Sequence, residues 1–329
     1  MRIQCKLSIC GNLTVRLTLS PDWAPKRIAR AAGRLVLALP GPTGATPPLR
    51  VVAEKGPGVT VPAEARLVQA QGEIRYLADA SEFFVVAPGR GILRTDLADG
   101  SVTAQVTEDL AADLPLLSNM LLNALAPLLR RRGFYPLHAF AAAWGEQGIL
   151  LVGTSGSGKT TAGLALVRAG WGFLANDHTL LMRNGEVVDA LCCNEPVNVT
   201  RTTAGFYPEL QHLAQGLENG EKRSFAIESV YGPIVRRRAR VALLLFPHVG
   251  DRGQSAVTRL SEADALTELL PQGLDAWDKA TLPAHFAVLA ALAEAAPAYR
   301  LRLGRDLEAL PALVGALLPS HDPSGHNLR

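Results

Sequence analysis

Apolar residues in the first hundred positions recur at short, strand-like intervals broken by turn residues. The runs 7–10 and 13–19 flank Gly11-Asn12, a dipeptide suited to a hairpin. Further runs fall at 34–39, ahead of a Pro40–Gly44 loop, and at 49–52, 74–77, 83–87 and 92–96. This pattern predicts a smaller β-rich domain over 1–105. The period then changes. Leu110, Leu114, Leu117, Leu121, Leu125 and Leu128 repeat at three- and four-residue spacing, one apolar face of a helix opening near Thr107. Pro115 and Pro127 should each bend or interrupt it. Residues 106–132 are thus read as a connecting helix that ends at Gly133 and carries the domain junction.

From 133 to 319 strands and helices alternate, which predicts an α/β domain. Strands are expected at 134–143, 149–152 and 171–175, and a helix over 159–169 stopping at Gly170. A hairpin pairs 179–182 with 187–191 through Arg183-Asn184-Gly185. A mixed region spans 194–231, and a buried strand covers 240–246. The remainder reads as helical, at 261–271, 280–295 and 305–318, with one strand at 299–303. The polar tail 320–329 is expected to fray.

Composition changes this picture little. The chain has 329 residues, 48% of them hydrophobic and 19% charged, enough to bury a core and too apolar for disorder. Net charge is +3 and the pI about 8.7, too mild to imply nucleic-acid binding. Arg130-Arg131-Arg132 and Arg236-Arg237-Arg238 with Arg240 read as a solvated helix end and a solvated loop, or as a docking face for an acidic substrate. Cys5, Cys10, Cys192 and Cys193 show no CxxC spacing and read as reduced core fillers, the last two on opposite faces of a strand. No signal peptide and no membrane-spanning run is evident, so a cytoplasmic protein with no membrane partner is expected.

The chemistry concentrates in Gly153-Thr154-Ser155-Gly156-Ser157-Gly158-Lys159-Thr160, which satisfies the Walker A pattern. Glycines let the backbone curl so that N–H groups converge on phosphate oxygens, and the following helix adds its positive N-terminus. Lys159 reaches the β- and γ-phosphates, and the Thr160 hydroxyl can ligate Mg²⁺. An apolar strand before the loop and an amphipathic helix after it, beginning Thr160-Thr161, complete the expected cradle. Asp177, 18 residues beyond Lys159 at the end of the next strand, is the candidate metal carboxylate. His138 lies on the strand before the loop, where a core histidine bonded to backbone is the competing reading.

His138 on a strand, the phosphate loop and Gly170-x-x-Phe173-Leu174-Ala175-Asn176-Asp177 together resemble the C-terminal catalytic domain of HPr kinase/phosphorylase. They resemble still more the HPr-kinase-related proteins found beside peptide-modification genes. The core of that domain is similar to phosphoenolpyruvate carboxykinase. The likeness is specific over about 134–182 and looser beyond. It implies an α/β P-loop domain and a Mg·ATP-dependent kinase for a serine hydroxyl of a peptide or small protein. A small-metabolite kinase and a non-catalytic ATP-binding regulator are the alternatives. Residues 153–161 would bind the nucleotide, Thr160 and Asp177 the metal, and His138, Lys159 and Asp177 would be catalytic. A homo-oligomer is what the family's habit suggests.

One position departs from the resemblance. The family has two adjacent aspartates where this chain has Asn176-Asp177, and an amide cannot take the acceptor's proton. Asp177 would then do both jobs, or His138 would serve as base, or transfer would be lost. Weaker candidates are Glu221-Lys222-Arg223, as a mobile cationic loop, and Glu195, as a metal ligand or a plain surface glutamate.

Overall fold

The computed structural model describes residues 3–9, 13–19, 37–38, 49–55, 61–193, 195–250 and 253–319. The predicted turn at Gly11-Asn12, the Pro40–Gly44 loop, most of the 34–39 run and the 320–329 tail lie outside them. The rest forms a mixed α/β structure on two large sheets.

The first sheet has eight strands in the order Ile3–Ile9, Leu13–Leu19, Leu49–Lys55, Ser101–Val106, Gly91–Asp96, Glu82–Ala87, Ile74–Ala78 and Arg66–Gln71. It is antiparallel except at Leu49–Lys55, which runs parallel to both neighbours. Two of its strands escape the apolar-run reading. Ser101–Val106 alternates single buried residues, Val102, Ala104 and Val106, with polar ones. Arg66–Gln71 is exposed along nearly its whole length, so its sequence carries no buried face to detect.

The predicted long helix is two helices, Glu108–Ala112 and Leu114–Arg130. Thr107 caps the first by accepting from the Leu110 N–H, and Asp113 caps the second by accepting from Leu116. Pro115 falls in the second helix's first turn, where its missing N–H leaves nothing unsatisfied. The expected interruption at Pro127 does not occur. The proline is buried between Ala124, Leu125, Leu128 and Leu129, all packed in the core, so the cost of one lost backbone bond near the helix end is offset by tertiary packing.

The second sheet runs Ala256–Arg259, Ala298–Leu303, Arg238–Val249, Gln147–Val152, Phe134–Trp144, His178–Asn184, Val187–Cys193 and Leu37–Ala38, with Gly172–Ala175 also pairing to Phe134–Trp144. Arg238–Val249 is parallel to both Gln147–Val152 and Ala298–Leu303, and the other pairings are antiparallel, so the sheet is mixed. Both faces are covered. Leu137, Ala139, Ala141, Leu150 and Val152 face a core shared with Leu114–Arg130, with helices Glu262–Gly273 and Leu282–Ala295, and with the first sheet. Phe140, Ala142, Ile149 and Leu151 face a second core under helices Lys159–Arg168 and Leu310–Gly315. That two-sided burial explains why the strands read as continuous apolar runs. Helix Lys159–Arg168 is buried almost all round and not amphipathic. Its Gly163 lies so close to Phe140 that a Cβ would stand 2.4 Å from the ring.

Several expectations need correction. Ala256–Arg259 is a strand in a stretch expected to be helix or loop, because it completes the sheet edge beside Ala298–Leu303. The last helix is only Leu310–Gly315. Lys222 and Arg223 belong to a strand, Lys222–Phe225, paired with Val197–Thr200, and are not a loop. Arg130 is no solvated helix end: its side chain is 2% exposed, donates to Asp275 at 2.5 Å and Asp278 at 3.0 Å, and lies over the Trp277 ring. Arg131 completes the cluster with two bonds to Asp278. Arg236, Arg237, Arg238 and Arg240 are exposed. Arg240 pairs in register with Gln147, at the opposite end of the parallel pair from the Gly153 loop, and Arg238 pairs with Leu191. Cys192 and Cys193 are both buried, and neither forms a disulfide. Among the described residues, no helix is long and apolar enough to cross a membrane.

Candidate functional site

Three neighbouring strand ends build the site. Gln147–Val152 runs into the glycine loop, Phe134–Trp144 carries His138, and Gly172–Ala175 turns through Asn176 and Asp177 into His178–Asn184. His138 and His178 face each other in register. The loop turns on Gly156 and Gly158, at φ 85° and 99°, a left-handed conformation that a side chain would strain. A Cβ on Gly158 would also stand 2.9 Å from the Leu303 terminal methyl, which would have to shift, so the backbone conformation is the main demand for glycine there. Ser157 Oγ is buried with no hydrogen-bond partner.

Lys159 folds back over the loop. Its Nζ donates to Gly153 O at 2.6 Å, to Thr154 O at 3.0 Å and to His138 Nε2 at 3.0 Å. Every one of those acceptors is uncharged. Burial holds its pKa down, at about 8; Asp177 opposes the shift and Lys222 adds to it. His138 is fixed between a pure donor and a pure acceptor. Lys159 as an ammonium can only donate to Nε2, and Asp177 O, 3.2 Å from Nδ1, can only accept. The ring is therefore neutral with its proton on Nδ1. Burial first, and then the Lys159 charge, keeps its pKa below the ordinary value.

Asn176 is fully buried. Its Oδ1 accepts from Thr160 Oγ1 at 3.2 Å, and its Nδ2 donates to Asp177 Oδ2 at 2.9 Å. It therefore ties the helix start to the carboxylate. The turn itself hangs on Glu195, whose Oε1 accepts the backbone N–H groups of Asn176, Asp177 and His178 at 3.1, 2.6 and 2.7 Å. Glu195 Oε2 lies 2.7 Å from His178 Nδ1. Burial opposes both charges, yet their mutual attraction and hydrogen bonding outweigh it, raising His178 and lowering Glu195. Glu195 is thus a buried anchor and not a surface glutamate. Thr161, expected against the nucleotide, bonds its hydroxyl to Thr203 at 3.0 Å and lines the same cleft as Lys159 and Thr160.

The structure brings His138, Lys159, Thr160 and Asp177 to one cleft of about 1130 Å³, with Thr154, Ser155, Gly156, Gly158 and Lys222 also in its wall. Sequence reasoning passed over His178 and the anchoring role of Glu195. The Glu195-Pro196 dipeptide after a buried strand was the only signal. Among the described residues, no three His, Cys, Asp or Glu side chains cluster closely enough to hold a metal unaided.

No protein-family model and no curated protein matches the chain. Among solved structures it is similar to that of the Hpr(Ser) kinase/phosphatase from Coxiella burnetii, at 14% identity over 55% of this chain and 92% of that chain, with a TM-score of 0.31. A likeness of that degree is a distant one of fold and bears on none of the site residues.

Proposed function

We propose that the chain is a Mg·ATP-dependent phosphotransferase whose Gly153–Thr160 loop binds the triphosphate, with a serine hydroxyl of a peptide or small protein as acceptor. One observation carries the reading. Lys159 is a buried ammonium whose three hydrogen-bond partners are all neutral, at the mouth of a cleft beside a positive-φ glycine loop. A desolvated cation with no counter-charge in contact, and only the more distant Asp177 to offset it, is a site prepared for an anion.

The oxygen donors Thr160 and Asp177 suit a hard cation such as Mg²⁺, which takes its remaining ligands from phosphate and water. Bound there, the metal would neutralise developing charge on the phosphates. The residues divide the remaining work. Lys159 binds the transferring phosphoryl oxygens. Asp177, steadied by Asn176 and by the Glu195 anchor, accepts the acceptor's proton. His138 is a positioning residue, since its one lone pair is taken by Lys159. Glycine loop, lysine and helix N-terminus align the triphosphate for in-line attack.

A second reading, a nucleotide-binding regulator without transfer, is favoured by Asn176 standing between Thr160 and Asp177 where a second carboxylate would serve as base. ADP formation from Mg·ATP separates the two, measured with purified protein alone and with the small-molecule and macromolecular fractions of a cell extract. Turnover stimulated by the macromolecular fraction and lost in Asp177→Ala supports the peptide or protein kinase. Stimulation by the small fraction moves the acceptor to a metabolite. Binding of ATP without turnover in any fraction leaves the regulator.

A further inference from the structure

The cleft has a second arm that the phosphate chemistry does not use. One wall is the helix Leu114–Arg130, buried from Leu117 onward except for a stripe at Asn119, Asn123 and Ala126. Asparagine is a poor helix former, and two at i and i+4 on the one open stripe of a leucine-rich helix call for a reason. Asn123 Nδ2 donates to Asn119 O and Oδ1, at 2.9 and 3.1 Å, which aligns the pair along the stripe. The facing wall is Arg66–Gln71 of the first sheet, whose Gln69 and Gln71 side chains also line the cleft. This arm therefore presents the amides of Gln69, Gln71, Asn119 and Asn123, each both donor and acceptor, beside the aliphatic Leu122, Leu129 and Leu274 and the carboxylate of Asp275. The Asp275 carboxylate disfavours an anionic ligand, and amides alternating with aliphatic residues suit a peptide backbone carrying small uncharged side chains.

The backbone of the second wall narrows the choice. Arg66–Gln71 ends the first sheet, and among the described residues its outer edge pairs with no strand. It is joined to Ile74–Ala78 by the two-residue turn Gly72-Glu73, so Gln71 and Ile74 form the closing pair and direct their backbone groups inward. Ala70, one residue earlier, turns its N–H and C=O to the open edge. Exposed Leu67, 60% accessible, stands on the same strand. An open edge on the strand whose Gln69 and Gln71 line the cleft that also holds Asp177 fits strand addition by an extended chain. The cleft's volume of about 1130 Å³ exceeds the ~300–1,000 Å³ of sites for one small ligand, which leaves room beside a nucleotide.

We propose that Arg66–Gln71 and the Asn119/Asn123 stripe form the acceptor-binding arm, which takes an extended, uncharged peptide segment as an added strand and delivers its serine to Asp177. The first sheet is on this account the specificity element. The inference rests on the phosphotransferase reading above.

The test uses the full chain with Mg·ATP and a degenerate nonapeptide library carrying a central serine. Phosphate incorporation is followed by mass spectrometry, and library binding in Mg·ADP by fluorescence anisotropy. Ala70→Pro deletes the outward N–H without touching a ladder bond, and Ala70→Val keeps it. The proline variant should lose about five- to tenfold in kcat/KM for peptide, one backbone hydrogen bond's worth, with nucleotide affinity intact, and the valine variant should match wild type. Gln69→Ala with Asn123→Ala should lower peptide affinity further. Equal peptide kinetics in Ala70→Pro and wild type would overturn the inference, as would a library that fails to bind while Mg·ATP binds. Failure of Mg·ATP itself to bind would instead overturn the phosphotransferase reading.

Discussion

Two buried polar clusters lie on either side of the cleft, and they are built on opposite principles. Around Asp278, Arg130 and Arg131 meet Asp275 and Asp278, two positive against two negative groups, with carboxylate and guanidinium in direct contact. Asp278 is held below the usual carboxylate range; its burial works against this, and the two arginines prevail. Around Lys159, the ammonium meets two carbonyls and a neutral imidazole, and nothing in contact returns its charge. The first cluster is complete as it stands and joins Leu114–Arg130 to the segment after Glu262–Gly273. The second is incomplete without an anion. Buried charge alone thus does not mark a functional site; the absence of a matching counter-charge does.

The comparison breaks first at Lys159. Lys159→Ala should reduce phosphoryl transfer by about a thousandfold, since transition-state charge stabilisation is worth that much. Thermal stability should stay within a few degrees, because no ion pair is lost. Retention of a tenth of the activity would end the assignment of Lys159. Arg130→Met should do the reverse. It leaves buried Asp278 with Arg131 alone and should cost about 3 kcal/mol in urea unfolding, the lower end for a broken buried pair. Nucleotide affinity at the loop should hardly change. A stable Arg130→Met protein that fails to bind nucleotide would show the clusters to be one unit.

This contrast also separates what the sequence could tell from what it could not. The Gly153–Thr160 loop, its strand and its helix are contiguous, so spacing alone exposes them. His138, Lys159 and Asp177 meet because adjacent strands in one sheet bring them together, a short-range consequence of the same pattern. Glu195 is different. It reaches back to the 176–178 turn across a whole hairpin, and nothing local distinguishes it from a loop glutamate. Arg130 likewise finds its partners 145 and 148 residues later, so an arginine run at a helix end reads as solvated. Arg66–Gln71 buries no face and so prints no alternation. Glu195 and Arg130 depend on distant tertiary partners and Arg66–Gln71 on its neighbour in the sheet, and none of these leaves a local pattern in the sequence.

The Glu195 anchor gives a smaller effect that sharpens the comparison. Glu195→Gln keeps an oxygen for the three N–H donors but removes the charge that raises the His178 pKa. Hydrogen bonds to a charged group contribute about 1.5–3 kcal/mol, and only part of this reaches Asp177 through the turn. We expect kcat to fall about tenfold with little change in KM for ATP. An unchanged kcat would show that the turn holds Asp177 in place without the anchor's charge.

The smallest signal tests the uncompensated charge directly. With its pKa held at about 8 by burial, Lys159 is half deprotonated at pH 8 in the nucleotide-free protein. A triphosphate stabilises the ammonium, so binding should take up a proton, approaching about half per site at pH 8 and vanishing near pH 6.5. The sign follows from which form is favoured. Nucleotide raises the Lys159 pKa, so affinity is full below the free-state value and weakens as pH rises above it. Calorimetry in two buffers of different ionisation heat reads the uptake. Lys159→Arg, which cannot lose its proton in this range, should bind with none. Equal heats in both buffers for the wild type at pH 8 would mean that Lys159 already carries its full charge there. The loop would then differ from the Asp278 cluster in geometry alone and not in its readiness for an anion.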